Sequence, residues 1–300
     1  YLPKYFKGQK IKNINVIQHI SPILFLFIPQ IANQIYNMLD KTMIGYIIEN
    51  KSEVGYYEQA QKIIRLLITI VTSLGVVMIP RMASTFASGD KQKVKEYMKK
   101  SFNFVFFLSF PLIFGIISIC KEFVPLFFGE GYDKVVILIN IISPVVLLMG
   151  IANVVGTQYL LPTKRQKEYT MSVTIGLILN FFLNLILISK WDSVGASIAT
   201  VLSQLAVDIL QLRNIRNEID LKELFKSSIK YLFAGLIMFG ACMLVQMFNL
   251  ENTISIIVKI SVGIIVYFGI LLIIKDEYIY SFISKIQNIF KNKLKKQSQN

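Results

Sequence analysis

The stretch VVILINIISPVVLLMGIANVVGTQYLL, from Val135 to Leu161, contains no charged residue. About 20 apolar residues in a helix cross the roughly 30 Å hydrocarbon core of a bilayer, because a helix rises about 1.5 Å per residue. A spanning helix is preferred over a barrel strand, since a strand would alternate apolar and polar residues over about ten positions. The stretch therefore predicts a transmembrane helix.

Similar blocks occur along the whole chain, which is 300 residues long, 54% hydrophobic and 17% charged. This composition is too apolar for an ordinary soluble domain. The predicted spans, named A to H in chain order, are His19–Ile48, Val54–Met82, Phe102–Phe128, Val135–Leu161, Tyr169–Ser189, Val194–Leu212, Ile229–Phe248 and Ile254–Ile274. We therefore expect an all-α integral membrane protein with about eight transmembrane helices.

Basic residues are concentrated in every second segment between the predicted spans. The rich segments are the head, the B–C, D–E and F–G connections and the tail, at residues 4–12, 81–100, 164–167, 213–230 and 275–296. The positive-inside rule places such segments in the cytoplasm, so both ends of this sequence are predicted to be cytoplasmic. The net charge of +14 then serves helix orientation and attraction to anionic lipid, and nucleic acid is not expected as a partner.

Span A carries a polar stripe made of Gln30, Asn33, Asn37 and Asp40, which share one helix face. Polar groups in hydrocarbon are costly, so they usually face the interior of a bundle or a wet cavity. The stripe either lines such a cavity or supplies hydrogen bonds between helices. Asp40 is a candidate for binding a coupling ion, because it is the acidic member of the stripe.

Span B carries Glu58, Lys62 and Arg65 on one face, at roughly the depth of Asp40 and Lys41. Lys and Arg are the side chains suited to phosphate oxygens, so one interpretation is a site for a phosphate-bearing substrate. The alternative is a closed salt bridge that holds span A against span B.

Two later spans also carry polar faces. Asn180 and Asn184 share a face of span E, and Gln204, Asp208 and Gln211 share a face of span F. Asp208 is a second candidate for the coupling ion, although it lies close enough to the basic F–G connection to be an interfacial residue instead. No catalytic constellation, phosphate-binding glycine loop or metal-ligand spacing is present in the sequence, so neither enzyme activity nor a cofactor is expected.

Three stretches, in this order, carry a resemblance to a known family. VGYYEQAQKI at Val54–Ile63 is followed by an apolar run that ends in IPRMA at Ile79–Ala83. LLPTKR at Leu160–Arg165 precedes the two asparagines of span E, and VGASIATVLS at Val194–Ser203 begins span F. Together they resemble the polysaccharide transporters, or Wzx-type flippases, of the superfamily that also holds multidrug MATE exporters and lipid II flippases.

The resemblance implies a transporter of two six-helix lobes plus two C-terminal helices, of which this chain would supply the second lobe and the extra pair. The implied units are a cytoplasmic inter-lobe segment at 1–18, a six-helix MATE-like lobe at 19–212, two additional transmembrane helices at 229–274 and a basic cytoplasmic tail at 275–300. Because the sequence begins with Tyr1 rather than Met, we also expect it to be part of a longer protein.

The resemblance further implies transport of an undecaprenyl-pyrophosphate-linked oligosaccharide across the bacterial cytoplasmic membrane, by alternating access of two lobes. Residue chemistry and depth then assign the pyrophosphate to Lys62 and Arg65, with Lys41 and Arg81 as further candidates. The candidates for the sugar path are Gln30, Asn33, Asn37, Asn180 and Asn184.

The expected partners are this lipid-linked oligosaccharide, membrane lipids and a polysaccharide polymerase. Two alternatives are left open. The first is a lipid II or multidrug exporter of the same superfamily, and the second is a non-transporting membrane scaffold of envelope assembly.

Overall fold

The computed structural model describes residues 38–276 and 278–280, and all regular secondary structure in that part of the chain is helical. The helices are α1 (38–47), α2 (Ser52–Thr72), α3 (Leu74–Ala87), α4 (Lys91–Phe128), α5 (Asp133–Ile142), α6 (Val145–Ala152), a π-helix (Asn153–Leu160), α7 (Gln166–Ile215), α8 (Leu221–Gln246) and α9 (Asn252–Ile273). Gln30, Asn33 and Asn37, together with most of span A, lie outside the described residues.

The described residues contain six segments that are long and apolar enough to cross a membrane. These are Ser52–Ala87, Lys91–Phe128, Asp133–Leu160, Gln166–Ile215, Leu221–Gln246 and Asn252–Ile273. They correspond to predicted spans B to H, with spans E and F joined in the 50-residue α7. The all-α membrane fold is therefore confirmed, whereas the count of eight spans stays a prediction because span A is only partly described.

The long helix α7 consists of two antiparallel limbs. The backbone leaves the helical conformation at its centre, where Asp192 has φ of 50°. Gly176 in the first limb lies directly against Val207 in the second, which a straight helix of this length, about 75 Å, could not allow. Residues 166–190 and 193–215, here called α7a and α7b, thus correspond to predicted spans E and F.

Charged contacts join three connections at one end of the bundle, here called the Glu53 end. The carboxylate of Glu53 lies 2.6 Å from Lys134 Nζ and accepts a hydrogen bond from Ser193 Oγ at 2.6 Å. Lys134 Nζ also lies 3.4 Å from Asp192 Oδ2. The start of α2, the start of α5 and the turn of α7 are therefore fixed to one another.

The three basic connections meet at the opposite end, here called the Arg165 end. The Arg165 guanidinium contacts the carboxylates of Glu168 and Glu218 and donates to the main-chain oxygen of Asn214. One cavity at this end is lined by residues of the B–C, D–E and F–G connections. The rich and poor connections predicted from the sequence thus lie at two different ends of the bundle.

Helices α8 and α9 pack against each other and against α4. Lys259 of α9 is only 1% exposed, and its Nζ lies 2.5 Å from Glu122 Oε1 of α4. Tyr267 of α9 donates a hydrogen bond to Phe107 O of α4 at 2.8 Å. A charge inside a membrane-spanning helix needs a partner, so this ion pair fixes the position of α9 against α4.

Gly195 is required by the close approach of α7a and α7b. A Cβ at this position would lie 2.0 Å from Leu187 O, a main-chain atom that cannot rotate away. We expect Gly195→Ala to lower the free energy of unfolding by ~1–3 kcal/mol or more. The loss is measured as a lower melting temperature of the purified protein. Gly240→Ala is the control, because a Cβ there meets no described atom within 4 Å. Equal melting temperatures for the two variants would contradict the prediction.

Candidate functional site

Asp40 of α1 is the centre of a buried polar cluster, and the residue is only 1% exposed. Tyr57 OH of α2 donates to Asp40 Oδ2 at 2.5 Å, and Thr200 Oγ1 of α7b lies 2.8 Å from the same oxygen. Asn184 Nδ2 of α7a donates to Asp40 Oδ1 at 2.6 Å. Helices α1 and α2 and both limbs of α7 therefore meet at one carboxylate.

The two asparagines of α7a belong to this Asp40 cluster. Asn180 Oδ1 accepts a hydrogen bond from Asn184 Nδ2 at 3.1 Å, and both residues are fully buried. Within the described part of the chain, Asn184 Oδ1 and Asn180 Nδ2 have no hydrogen-bond partner. The structure thus places these two sugar-path candidates around Asp40 and away from any exposed surface.

The Asp40 cluster has the chemistry of a site for a proton or a small cation. It offers one carboxylate, two amide side chains, the Thr200 hydroxyl and the main-chain oxygen of Ala196, which lies 2.9 Å from that hydroxyl. Hard cations take oxygen ligands of these kinds, and in transporters they are held near the ends or breaks of helices. Asp40, a candidate coupling-ion residue, is therefore at the centre of a suitable set of oxygens.

A chain of hydrogen bonds leads from the Asp40 cluster to the exposed face of α2. Gln61 Nε2 donates to Tyr57 OH at 2.9 Å, and Arg65 donates to Gln61 Oε1 at 3.2 Å. These side chains are one turn apart, and residues at that spacing are neighbours on a helix surface. Proton or ion binding at the Asp40 carboxylate can therefore alter the hydrogen bonds of Tyr57 and Gln61, and through them the position of the Arg65 guanidinium.

The structure brings Lys41, Lys62 and Arg65 to one region at the α1–α2 contact. Glu58 Oε1 lies 3.3 Å from Lys41 Nζ and 3.5 Å from Lys62 Nζ, and the Lys62 side chain is 60% exposed. Arg65 lies one turn further along α2, at about 20 Å along the helix axis from Ser52. The basic cluster is the name used here for Lys41, Glu58, Lys62 and Arg65. It carries more positive than negative charge.

Arg81 and Asp208 lie apart from these two clusters. Arg81 is exposed on α3, about 24 Å along the helix from Arg65. Asp208 lies about 12 Å along α7b from Thr200. It is buried, and its Oδ1 accepts a hydrogen bond from Gln204 Nε2 at 3.2 Å. The two candidate coupling-ion residues thus occupy separate positions among the described helices.

Tyr57 and Thr200 are partners of Asp40 that the sequence analysis missed. A tyrosine and a threonine inside apolar spans do not stand out by charge or spacing. Both nevertheless fall inside stretches that carry the family resemblance, Val54–Ile63 and Val194–Ser203. That coincidence is the signal that could have identified them.

Comparisons with known proteins give one consistent result. Residues 9–137 match the family described as polysaccharide biosynthesis protein. The chain is 23% identical over 266 residues to a probable low-salt glycan biosynthesis flippase, Agl15, of Haloferax volcanii, covering 88% of this chain and 54% of that protein. It is 26% identical over 149 residues to the lipid II flippase MurJ of Bacillus subtilis, covering 49% of this chain and 27% of that protein.

The fold matches a solved structure of the lipid II flippase MurJ in an inward closed conformation, with a TM-score of 0.73 and 18% identity. That match covers 93% of this chain and 59% of the solved one. The chain spans about half the length of Agl15. The chain is thus similar to polysaccharide biosynthesis proteins over residues 9–137 and to a glycan biosynthesis flippase over most of its length, and it shares its fold with a lipid II flippase.

Proposed function

We propose that this protein moves undecaprenyl-pyrophosphate-linked oligosaccharide units from the inner to the outer leaflet of the bacterial cytoplasmic membrane, for capsule or O-antigen-type polysaccharide. The match of residues 9–137 to a polysaccharide biosynthesis family and the similarity to a glycan biosynthesis flippase support the proposal. The described helices would form one wall of a central cavity, and a second lobe would form the other. The Arg165 end would face the cytoplasm, in keeping with the positive-inside rule.

The observation that carries the proposal is the exposure of the basic cluster in the middle of a membrane-spanning segment. Lys62 and Arg65 are exposed on the described surface, yet they lie within the span Ser52–Ala87. Charged side chains at such a depth face a protein partner or a water-filled cavity rather than lipid. A cavity wall with excess positive charge suits a pyrophosphate group.

In this proposal the two clusters have different roles. Lys62 and Arg65 bind the pyrophosphate, assisted by Lys41, while Asp40 binds the coupling proton or cation. The hydrogen bonds through Tyr57 and Gln61 link the two events, because the occupancy of Asp40 changes what Tyr57 can donate to. Such a link between two sites is a coupling free energy, typically 1–3 kcal/mol.

Depletion of the full-length protein in its own cells tests the function. We expect lipid-linked oligosaccharide to accumulate while surface polysaccharide falls, and re-expression should reverse both changes. If the lipid-linked pool and the surface polysaccharide stayed unchanged, the proposal would be wrong. The similarity to MurJ favours lipid II as a second candidate substrate, and the composition of the accumulated lipid distinguishes the two candidates.

Removing both Lys62 and Arg65 tests the pyrophosphate site. Exposed ion pairs contribute ~0–1 kcal/mol to stability, so Lys62→Ala with Arg65→Ala should leave the protein folded. A hydrogen bond to a charged group is worth about 1.5–3 kcal/mol, so we expect transport at limiting substrate to fall at least about tenfold. Transport is measured as surface polysaccharide per molecule of protein in the membrane.

Lys99→Ala is the control for this double variant. Lys99 is also an exposed lysine paired with a glutamate, Glu223, but it lies on α4 near the Arg165 end. It should leave transport unchanged. If the double variant behaved like the control, the basic cluster would be a structural salt bridge and not a substrate site.

A further inference from the structure

A polar cleft opens between α2, the α6–π-helix segment and the two limbs of α7. Its volume is about 280 Å³, close to the lower limit of about 300 Å³ for small-molecule pockets. The polar residues that line it are Thr72, Asn153, Thr157, Tyr169, Gln204 and Gln211. Neither the basic cluster nor the Asp40 cluster contributes a residue to it.

Gln211 carries a buried acceptor that no described residue uses. The residue is 1% exposed, and its Nε2 donates to Ser172 Oγ at 3.2 Å. Its Oε1 has no hydrogen-bond partner in the described part of the chain. Leaving a buried polar group unpartnered costs about 1–3 kcal/mol. Gln211 lines the cleft, so a ligand hydroxyl group that reached this oxygen after a small rotation of the amide would remove that cost.

The π-helix shapes one wall of the cleft and is itself held in place. Gln158 Nε2 donates to Asn153 Oδ1 at 2.9 Å, and Gln158 Oε1 accepts from Ser101 Oγ at 2.8 Å. A Cβ on Gly156 would lie 2.7 Å from the ring of Tyr169, so this glycine lets the ring lie against the helix. Pi-helical turns are frequently found at functional sites, and the side chains of a binding site must be held in place by the residues behind them.

The lining of the cleft selects a neutral ligand. Among the described lining residues there is no Lys, Arg, Asp or Glu, so a pyrophosphate would find no counter-charge there. Amides and hydroxyls that donate and accept hydrogen bonds, next to an aromatic ring, suit a ligand rich in hydroxyl groups. A saccharide has these properties.

The position of the cleft relative to the basic cluster fits one extended substrate. Thr72, which lines the cleft, follows Arg65 by two turns of α2, so the two residues share a face and lie about 10 Å apart along the axis. We infer that the polar cleft binds the sugar unit of the lipid-linked glycan while Lys62 and Arg65 bind its pyrophosphate. This inference rests on the proposed function and adds a saccharide site to it.

The test compares two natural probes on the purified full-length protein. One is the lipid-linked glycan that accumulates in cells depleted of the protein, and the other is undecaprenyl pyrophosphate without glycan. The wild type should bind the glycosylated probe more tightly. Gln211→Met and Thr157→Val, which remove one polar group each with little change in size, should each weaken glycan binding about threefold to tenfold. Neither should change the Kd of the bare pyrophosphate.

Two controls separate the possible outcomes. Gln246→Met makes the same chemical change on α8, away from the cleft, and should change neither Kd. Lys62→Ala with Arg65→Ala should weaken both probes equally. The inference of a saccharide site is wrong if Gln211→Met and Thr157→Val leave both Kd values unchanged, or if they weaken the binding of both probes equally. If the wild type bound neither probe, the proposed function itself would fail.

Discussion

Asp40→Asn should reduce transport by about 5–150-fold, the range that a coupling free energy of 1–3 kcal/mol corresponds to. Asn has the size of Asp, and its single amide oxygen can still accept the hydrogen bond from Tyr57, which lies 2.5 Å from the Asp40 carboxylate. Its Nδ2 can donate to Asn184 Oδ1, which has no partner among the described residues, once the Asn184 amide turns over. It cannot carry the negative charge or take up a proton. The protein should therefore fold and reach the membrane at its normal level, but lose the response to its driving ion.

The measurement that isolates this effect is transport per folded protein at varied pH and Na⁺. Wild-type transport should depend on one of the two ions, and transport by Asp40→Asn should depend on neither. Cation binding also stabilises the native state by mass action, so the same ion should raise the melting temperature of the wild type and not that of the variant.

Asp208→Asn is the matched comparison, because it makes the same change at another buried aspartate of the described helices. Asp208 has Gln204 as its hydrogen-bonding neighbour and lies outside the Asp40 cluster. We expect this variant to keep its ion dependence. If Asp208→Asn lost ion dependence while Asp40→Asn kept it, the assignment of the coupling ion to Asp40 would be wrong.

The spans could be predicted from the sequence because the bilayer imposes a length and an apolar composition on each of them. The break between spans E and F was predicted at residues 190–193, and the backbone leaves the helical conformation at Trp191 and Asp192. A spanning helix satisfies its own backbone hydrogen bonds, so its existence depends on local sequence alone. Local sequence can be read directly from one amino-acid sequence, so the spans could be predicted without a structure.

The polar contacts between spans depend instead on packing, and one sequence does not display packing. Asp40 and Thr200 are 160 positions apart, and neither residue indicates the other. The π-helix at Asn153–Leu160 has no signature in composition, because it differs from an α-helix only in which carbonyl each amide reaches. The face of Gln204, Asp208 and Gln211 was visible in the sequence, whereas the other walls of the cleft were not.

Lys259→Met should destabilise the protein by about 3–5 kcal/mol, the cost of breaking a buried ion pair from one side. Lys259 Nζ lies 2.5 Å from Glu122 Oε1 and donates to Ser118 O at 2.9 Å. Glu122 Oε2 already has no partner among the described residues. Without the ammonium, both oxygens of a buried carboxylate would lack a partner among the described residues, and α9 would lose its ion pair with α4.

The double variant Lys259→Met with Glu122→Met separates the cost of the unpaired carboxylate from the value of the pair. Replacing both partners of a buried ion pair by apolar groups of similar volume is often neutral or stabilising, so the double variant should regain most of the stability that Lys259→Met loses. The coupling between the two changes is measured from the melting of the four proteins in a double-mutant cycle.

An exposed pair gives the scale for this measurement. Lys99 of α4 and Glu223 of α8 form an ion pair whose side chains are 49% and 59% exposed. Breaking an exposed pair costs about 0–1 kcal/mol, so Lys99→Met should melt within a few degrees of the wild type. If Lys259→Met melted like Lys99→Met, the position of α9 would depend on its apolar contacts and the Tyr267 hydrogen bond instead, and the buried ion pair would have no role in fixing it.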